Sequence, residues 1–218
     1  MKKENPAVAA VSERLSKCKI IPVLVINTVE EGIRICDILY RCGLPSAEIT
    51  FRTSAGEGTI REALKRFPDM VAGAGTILNT EDLKRAHDAG AKFAVAPGCN
   101  PKVMKAAVEL GIPFFPGVCT PSDIECAYEN GASIMKFFPA EAAGGISMLK
   151  ALLGPFKHLG IKFIPLGGLD ASNVKKYLDM KEVLAVGGSW MVKQEDVSAG
   201  KWDLVEKNIN EASALLIK

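Results

Sequence analysis

The 218-residue sequence predicts an α/β fold, a (β/α)8 TIM barrel with an extra N-terminal helix. Three observations predict it. Short apolar runs alternate with amphipathic helical segments from end to end. Eight such runs are present, the number that closes a parallel barrel. Four successive runs also end in an apolar–proline signature: Ala96-Pro97-Gly98, Phe115-Pro116-Gly117, Phe138-Pro139-Ala140 and Ile164-Pro165-Leu166. Proline cannot donate to a sheet ladder and belongs at a strand end, so one proline per βα unit marks a common rim. An open doubly wound sheet is the alternative, and no GxGxxG follows the first strand to support it.

The elements follow in order. Met1 to Lys19 is charged and helical in pattern, unlike a signal peptide. Strand one is expected at Ile20–Ile26, then a helix at Thr28–Arg41 stopped by Gly43. Strand two is Ala47–Phe51, and strand three, Val71–Ala74, runs into the turn Gly73-Ala74-Gly75-Thr76. Thr80-Glu81-Asp82 opens a helix that reaches Ala89, with Gly90 behind it. Strand four (Phe93–Ala96) precedes the helix Asn100–Leu110 and its stop at Gly111; strand five is Pro113–Phe115. Thr120-Pro121 starts a helix over Pro121–Glu129, stopped by Gly131. Strand six is Ile134–Phe138, and strand seven, Lys162–Pro165, follows Gly160. A helix at Ser172–Met180, strand eight at Val183–Val186 and a last helix at Trp202–Ile217 complete the chain. No composition shift or linker divides it, so residues 1–218 are expected to form a single domain.

Composition bounds the function. A 48% hydrophobic content supplies a large core, and 27 basic residues against 25 acidic ones leave no basic block for nucleic acid. No apolar stretch approaches the roughly 18 residues of a membrane span. The six cysteines contain no CxxC pair and there are only two histidines, which argues against structural zinc and fits reduced thiols in the cytoplasm. His87 and His158 fall in helical or loop contexts and read as surface residues.

The chemistry concentrates in two strands. Lys136 is a lone cation in the apolar run Ile134–Pro139. Burying an ammonium is costly, and desolvation favours the neutral, nucleophilic amine, so such a lysine suits Schiff-base formation. The alternative is a lysine that snorkels to solvent. In strand two, Ala47, Ile49 and Phe51 share one face while Glu48, Thr50 and Arg52 share the other. In a barrel the polar set points inward; an edge strand with a solvated face is the alternative. Inward parity for Ile134, Lys136 and Phe138 would then bring Lys136 and Glu48 together, equipment for imine chemistry with a proton shuttle. Arg52 is expected to hold Glu48 ionised and to seat a substrate carboxylate.

Two glycine turns, Leu166-Gly167-Gly168 and Val186-Gly187-Gly188-Ser189, follow strands seven and eight, where barrels often bind phosphate. Ordinary tight turns are the alternative. Thr76 could reach the same mouth. Cys99 and Cys119 lie at this rim without a histidine to activate them; Glu141 and Asp170 lie in rim loops and could assist or bind metal, although the shortage of histidine argues against a metal site.

These residues resemble a known family. Gly43-Leu44-Pro45-Ser46-Ala47-Glu48-Ile49-Thr50-Phe51-Arg52 and Gly131-Ala132-Ser133-Ile134-Met135-Lys136-Phe137-Phe138-Pro139-Ala140-Glu141-Ala142-Ala143-Gly144 look like the two long motifs of the class I 2-dehydro-3-deoxy-phosphogluconate (KDPG) aldolase/4-hydroxy-2-oxoglutarate (KHG) aldolase family. Val71-Ala72-Gly73-Ala74-Gly75-Thr76, Ala96-Pro97-Gly98 and Gly187-Gly188-Ser189 agree in order and spacing, so the resemblance runs from about Ile20 to Val192. It implies that Lys136 forms the Schiff base and Glu48 is the general acid/base. It implies that Arg52 and Thr76 hold the pyruvyl carboxylate and Phe138 packs beside the imine. Pro97, Gly167, Gly168, Gly188 and Ser189 complete the implied substrate-binding set, the glycine turns taking a distal phosphate. It further implies a homotrimer acting on a small phosphorylated 2-keto acid with no metal and no organic cofactor, and composition alone leaves no expectation of a nucleic-acid or membrane partner. Leu166 departs from the threonine that many members carry there, which bears on substrate range. The expected reaction is cleavage of 2-dehydro-3-deoxy-6-phosphogluconate. 4-Hydroxy-2-oxoglutarate and the galactonate epimer are alternative substrates, and a phosphosugar isomerase or epimerase, or a non-catalytic phosphate sensor, is the rival class.

Overall fold

The computed structural model describes residues 6–216. All strand pairings among them are parallel. Strands β1 (Ile20–Leu24), β2 (Ser46–Thr50), β3 (Val71–Gly75), β4 (Ala94–Val95), β5 (Phe114–Phe115) and β9 (Val186–Gly188) form one sheet in the order β5-β4-β3-β2-β1-β9. Strands β6 (Gly117–Val118), β7 (Ile134–Phe137) and β8 (Lys162–Pro165) form a second sheet in the order β6-β7-β8. Parallel bridges Phe163–Val183 and Leu166–Gly187 tie β8 to the segment that contains β9.

Two expected strands are corrected. The fifth is two short strands, because Pro116 has no N–H for the ladder. β5 before it pairs with β4, and β6 after it pairs with β7. The eighth lies at Val186–Gly188 rather than Val183–Val186, because the two edges of this segment are used in stagger. Leu184 N–H donates to Phe163 O (2.9 Å), whereas pairing with β1 starts where Val186 N–H donates to Lys19 O (2.8 Å).

Helices α1 (Pro6–Cys18), α2 (Val29–Arg41), α3 (Ala55–Arg66), α4 (Thr80–Asp88), α5 (Pro101–Leu110), α6 (Pro121–Glu129), α7 (Gly145–Phe156), α8 (Val174–Leu178), α9 (Gln194–Ser198) and α10 (Trp202–Ala214) fill the connections. The first five residues of the expected N-terminal helix, and residue 217 of the last one, lie outside the described residues. Thr28 and Thr120 close capping boxes with Glu31 and Asp123. Asn79 caps α4, one residue before the expected Thr80 signal. Helix α8 is shorter than Ser172–Met180 because side chains compete for its first amides: Ser172 N–H donates to Asp170 Oδ1 (2.8 Å) and Asp170 N–H to Asn173 Oδ1 (2.9 Å).

Strand alternation divides the core in two. Leu24, Ala47, Ile49, Ala72, Met135, Phe137 and Phe163 face the helices and join the larger cluster with Ile35, Leu39, Leu83, Ile124 and Leu149. Ile21, Val71, Val95, Phe115, Ile134 and Ile164 face the other way and form a separate cluster, covered by Val11 and Leu15 of α1. Each fully buried Leu, Ile or Phe contributes roughly 1.5–3 kcal/mol relative to exposure. Among the described residues no helix is long and apolar enough to cross a membrane.

Candidate active site

The strand face that is apolar at its N-terminal end opens at its C-terminal end into a cavity of about 720 Å³. All ten residues singled out above line it: Glu48, Arg52, Thr76, Pro97, Lys136, Phe138, Gly167, Gly168, Gly188 and Ser189.

At its floor, Lys136 Nζ donates to Glu48 Oε1 at 3.2 Å, with the two residues only 5% and 3% exposed. The pairing follows from strand order. Glu48 is held between Val23 of β1 and Gly73 of β3, and Lys136 between Gly117 of β6 and Ile164 of β8. Burial of either charge alone would cost several kcal/mol; the contact satisfies both. Gly75 makes room for it, since a Cβ there would sit 2.4 Å from Glu48 Oε1. The Phe138 ring centre lies 5.2 Å from Lys136 Nζ, so an aromatic face borders the amine.

Arg52 is placed differently from the expectation. It lies two residues beyond β2, is exposed, and makes no hydrogen bond or ion pair among the described residues; Glu48 is paired with Lys136 instead. The turn carries it away: Thr50 Oγ1 donates to Leu24 O (2.9 Å) and Thr53 Oγ1 to Ile26 O (2.6 Å), pinning the bend and leaving the guanidinium at the mouth. Thr76 also lines the mouth, with a φ of +61°. A β-branched residue there is strained. Bonds on either side hold it, from Phe51 N–H to Gly75 O (2.8 Å) and from Ile77 N–H to Val95 O (3.0 Å).

Elsewhere in the cavity wall, Gly167 and Gly168 have φ of +106° and +80°, a backbone that other residues rarely adopt. The turn leans on Glu141, whose N–H donates to Gly167 O (2.9 Å) and whose Cβ would lie 2.7 Å from a Cβ on Gly168. The Glu141 carboxylate accepts from the Tyr177 hydroxyl and does not line the cavity. Burial and this carboxylate push the Tyr177 phenol up. Asp170 accepts from the Ser172 hydroxyl and amide, which holds it below the usual carboxylate range. Both carboxylates are thus engaged with neighbouring side chains, and neither lines the cavity. Cys99 and Cys119 stay outside the cavity wall; Cys99 Sγ lies 3.4 Å from Cys126 Sγ, and burial pushes its thiol up to about 12.

Sequence reasoning did not single out Trp190, Lys193, Gln194 or Glu195, which also line the cavity. Proximity to the Gly187-Gly188-Ser189 turn was the available signal, but no periodicity separates these residues from an ordinary surface segment.

Residues 11–208 match the model of the family described as KDPG and KHG aldolase. The chain is 41% identical over 199 residues to the 2-dehydro-3-deoxy-phosphogluconate aldolase of Haemophilus influenzae, covering 91% of this chain and 93% of that one. It is 38% identical over 193 residues to the KHG/KDPG aldolase of Escherichia coli, covering 88% and 90%. A crystal structure of KDPG aldolase from Legionella pneumophila, holding pyruvate as a covalent carbinolamine intermediate, superposes with a TM-score of 0.86 at 34% identity, over 92% of this chain and 96% of that one.

Proposed function

The chain belongs to the KDPG and KHG aldolase family, and from that premise we propose that it cleaves 2-dehydro-3-deoxy-6-phosphogluconate to pyruvate and glyceraldehyde 3-phosphate. It is a class I aldolase, a carbon–carbon lyase working through a lysine imine. The observation that carries the residue assignment is the buried 3.2 Å contact between Lys136 and Glu48 on the cavity floor.

Transfer of a proton across that contact leaves a neutral amine at Lys136 and an acid at Glu48. Lys136 Nζ adds to the C2 ketone, Glu48 protonates the departing oxygen, and loss of water gives an iminium. The iminium accepts the electron pair of the C3–C4 bond as Glu48, now a carboxylate, takes the C4 hydroxyl proton. Glyceraldehyde 3-phosphate leaves, the enamine is protonated at C3, and hydrolysis frees pyruvate and Lys136. No step calls for a metal or an organic cofactor. Arg52 and Thr76 hold the carboxylate, Phe138 and Pro97 flank the imine, and Gly167, Gly168, Gly188 and Ser189 receive the phosphate. The unpaired guanidinium at the mouth and the two glycine turns that line the same cavity support this placement.

A second substrate, 4-hydroxy-2-oxoglutarate, is favoured by Leu166, which lines the cavity without a hydroxyl for a phosphorylated tail. Ser189→Ala should spare its turnover and weaken that of the phosphorylated substrate. We read the two sheets as one closed (β/α)8 barrel and one domain, supported by the bridges between β8 and the β9 segment. Family membership supports a homotrimer, and six free thiols support the cytoplasm.

The test is pyruvate release from 2-dehydro-3-deoxy-6-phosphogluconate in a lactate dehydrogenase-coupled assay. The wild type should turn over in the presence of EDTA and Lys136→Ala should lose activity by at least about a thousandfold. Near-wild-type cleavage by Lys136→Ala, or abolition by EDTA, would contradict the mechanism.

A further inference from the structure

We infer that Lys193 is the cationic partner of the substrate's distal phosphate and sets the preference for a phosphorylated over a neutral tail; this rests on the aldolase reading of the cavity. Among the described residues that line the cavity, three are cations: Lys136, Arg52 and Lys193. Lys136 is committed to Glu48 at the floor. The substrate brings two anionic ends, and two cations remain for them.

The remaining pair rises from different walls. Arg52 follows β2, beside Thr76 at the end of β3, whereas Lys193 follows β9, with β1 lying between β2 and β9. Val192 N–H donates to Ser189 O (3.1 Å), which folds the chain back over Ser189. Asp196 and Val197 N–H donate to Lys193 O (3.1 and 3.2 Å), which anchors the lysine backbone at that wall. Its side chain is exposed and makes no hydrogen bond or ion pair among the described residues.

The other groups at this end are neutral or opposed. Gly167, Gly168 and Gly188 offer backbone, Ser189 adds a hydroxyl, and Leu166 packs on Gly187, where a Cβ would lie 2.5 Å from its Cδ1. Gln194 is engaged with Asn27 Oδ1 (3.2 Å). Such donors can satisfy phosphate oxygens but leave the charge of about −2 uncompensated. Lys193 supplies the compensation, while Glu195 at the same rim opposes it. The two neighbouring charges therefore bias the tail in opposite directions, and that gives the test two arms.

The experiment compares kcat/KM for 2-dehydro-3-deoxy-6-phosphogluconate with that for its dephosphorylated analogue in the full-length enzyme. Lys193→Met should lower the ratio of the two about five- to tenfold, through KM of the phosphorylated substrate, and flatten its dependence on salt between about 50 and 300 mM. Lys193→Arg should keep the ratio within about twofold, and Glu195→Gln should raise it about twofold. A ratio unmoved in Lys193→Met, or lowered equally in Lys193→Arg, would overturn the assignment. So would a ratio that Glu195→Gln lowers. Borohydride trapping of pyruvate at Lys136, which needs no distal anion, separates the two readings. Trapping in the wild type with an unmoved ratio removes only the role of Lys193, whereas failure to trap removes the aldolase reading itself.

Discussion

At the N-terminal ends of the strands, the face turned away from the helices carries Ile21, Ser46, Val71, Ile134 and Ile164, with Val11 and Leu15 of α1 over the apolar members. Two residues further along the same strands, roughly 7 Å away, it carries Val23, Glu48, Gly73, Lys136 and Leu166. One alternation thus serves two purposes. Where α1 covers the face, burial of apolar area gives stability and Ser46 is satisfied by donating to Ile20 O (2.8 Å). Where no helix covers it, the deeply buried charges that this face carries among the described residues are a matched pair, Lys136 and Glu48, on the cavity floor. Apolar packing is thus concentrated at the sealed end, while the polar pair proposed to carry the chemistry sits one strand repeat above it.

Variants at the two ends should therefore fail in different ways. Glu48→Gln should lower kcat about a hundred- to ten-thousandfold while the folded structure persists by circular dichroism; a fall in stability with unchanged kcat would erase the distinction. Phe115→Ala at the sealed end should lose about 3–5 kcal/mol in urea unfolding, with kcat at 25 °C altered less than about twofold. Its ring stacks on Phe93 at 5.6 Å, so the Phe93 ring loses that partner. Gly75→Ala, at the junction, should do some of each. The added Cβ must displace the Glu48 carboxylate, so kcat should fall about ten- to a hundredfold, with about 1–3 kcal/mol of stability.

The smallest effect belongs to a rim carboxylate with no part in the reaction. Partial burial opposes ionisation of Asp123, but bonds from Cys119 N–H (3.0 Å) and Thr120 N–H (2.9 Å) outweigh it and hold its pKa below the ordinary value. A depressed pKa contributes stability above the unfolded value, about 3.9, that disappears as pH falls through the lower folded value. Asp123→Ala should cost about 1 kcal/mol at pH 7, with the gap to wild type closing as pH drops below 4 and kcat unchanged. A gap that persists in acid would make the loss one of packing.

Much of this arrangement was legible in residue order. Alternation in Glu48-Ile49-Thr50 and Ile134-Met135-Lys136 carries face information directly, so the convergence of Lys136 and Glu48 was readable. The glycine turns were readable because Gly167 and Gly168 need positive φ. Other features depend on distances that no local pattern encodes. Arg52 is expected from the sequence to hold Glu48 ionised, but the Thr50 and Thr53 hydroxyl bonds to β1 and its following residues pin the bend, and Glu48 is paired with Lys136 instead. The split at Pro116 and the stagger around Val186 depend on which neighbour each edge meets. Lys193 looked like any exposed lysine because the turn over Ser189 that places it is made by backbone bonds. Gly75 read as part of a turn, although its main constraint is the space needed by a side chain on β2.

The proposed mechanism makes the buried amine of Lys136 the nucleophile. The most direct measurement is incubation with pyruvate and sodium borohydride, followed by peptide mapping by mass spectrometry. Imine formation at Lys136 requires a stable reduced pyruvyl adduct on the peptide containing Lys136, and none in Lys136→Ala. A folded wild-type protein that leaves Lys136 unmodified, or takes the adduct on another lysine, would contradict it.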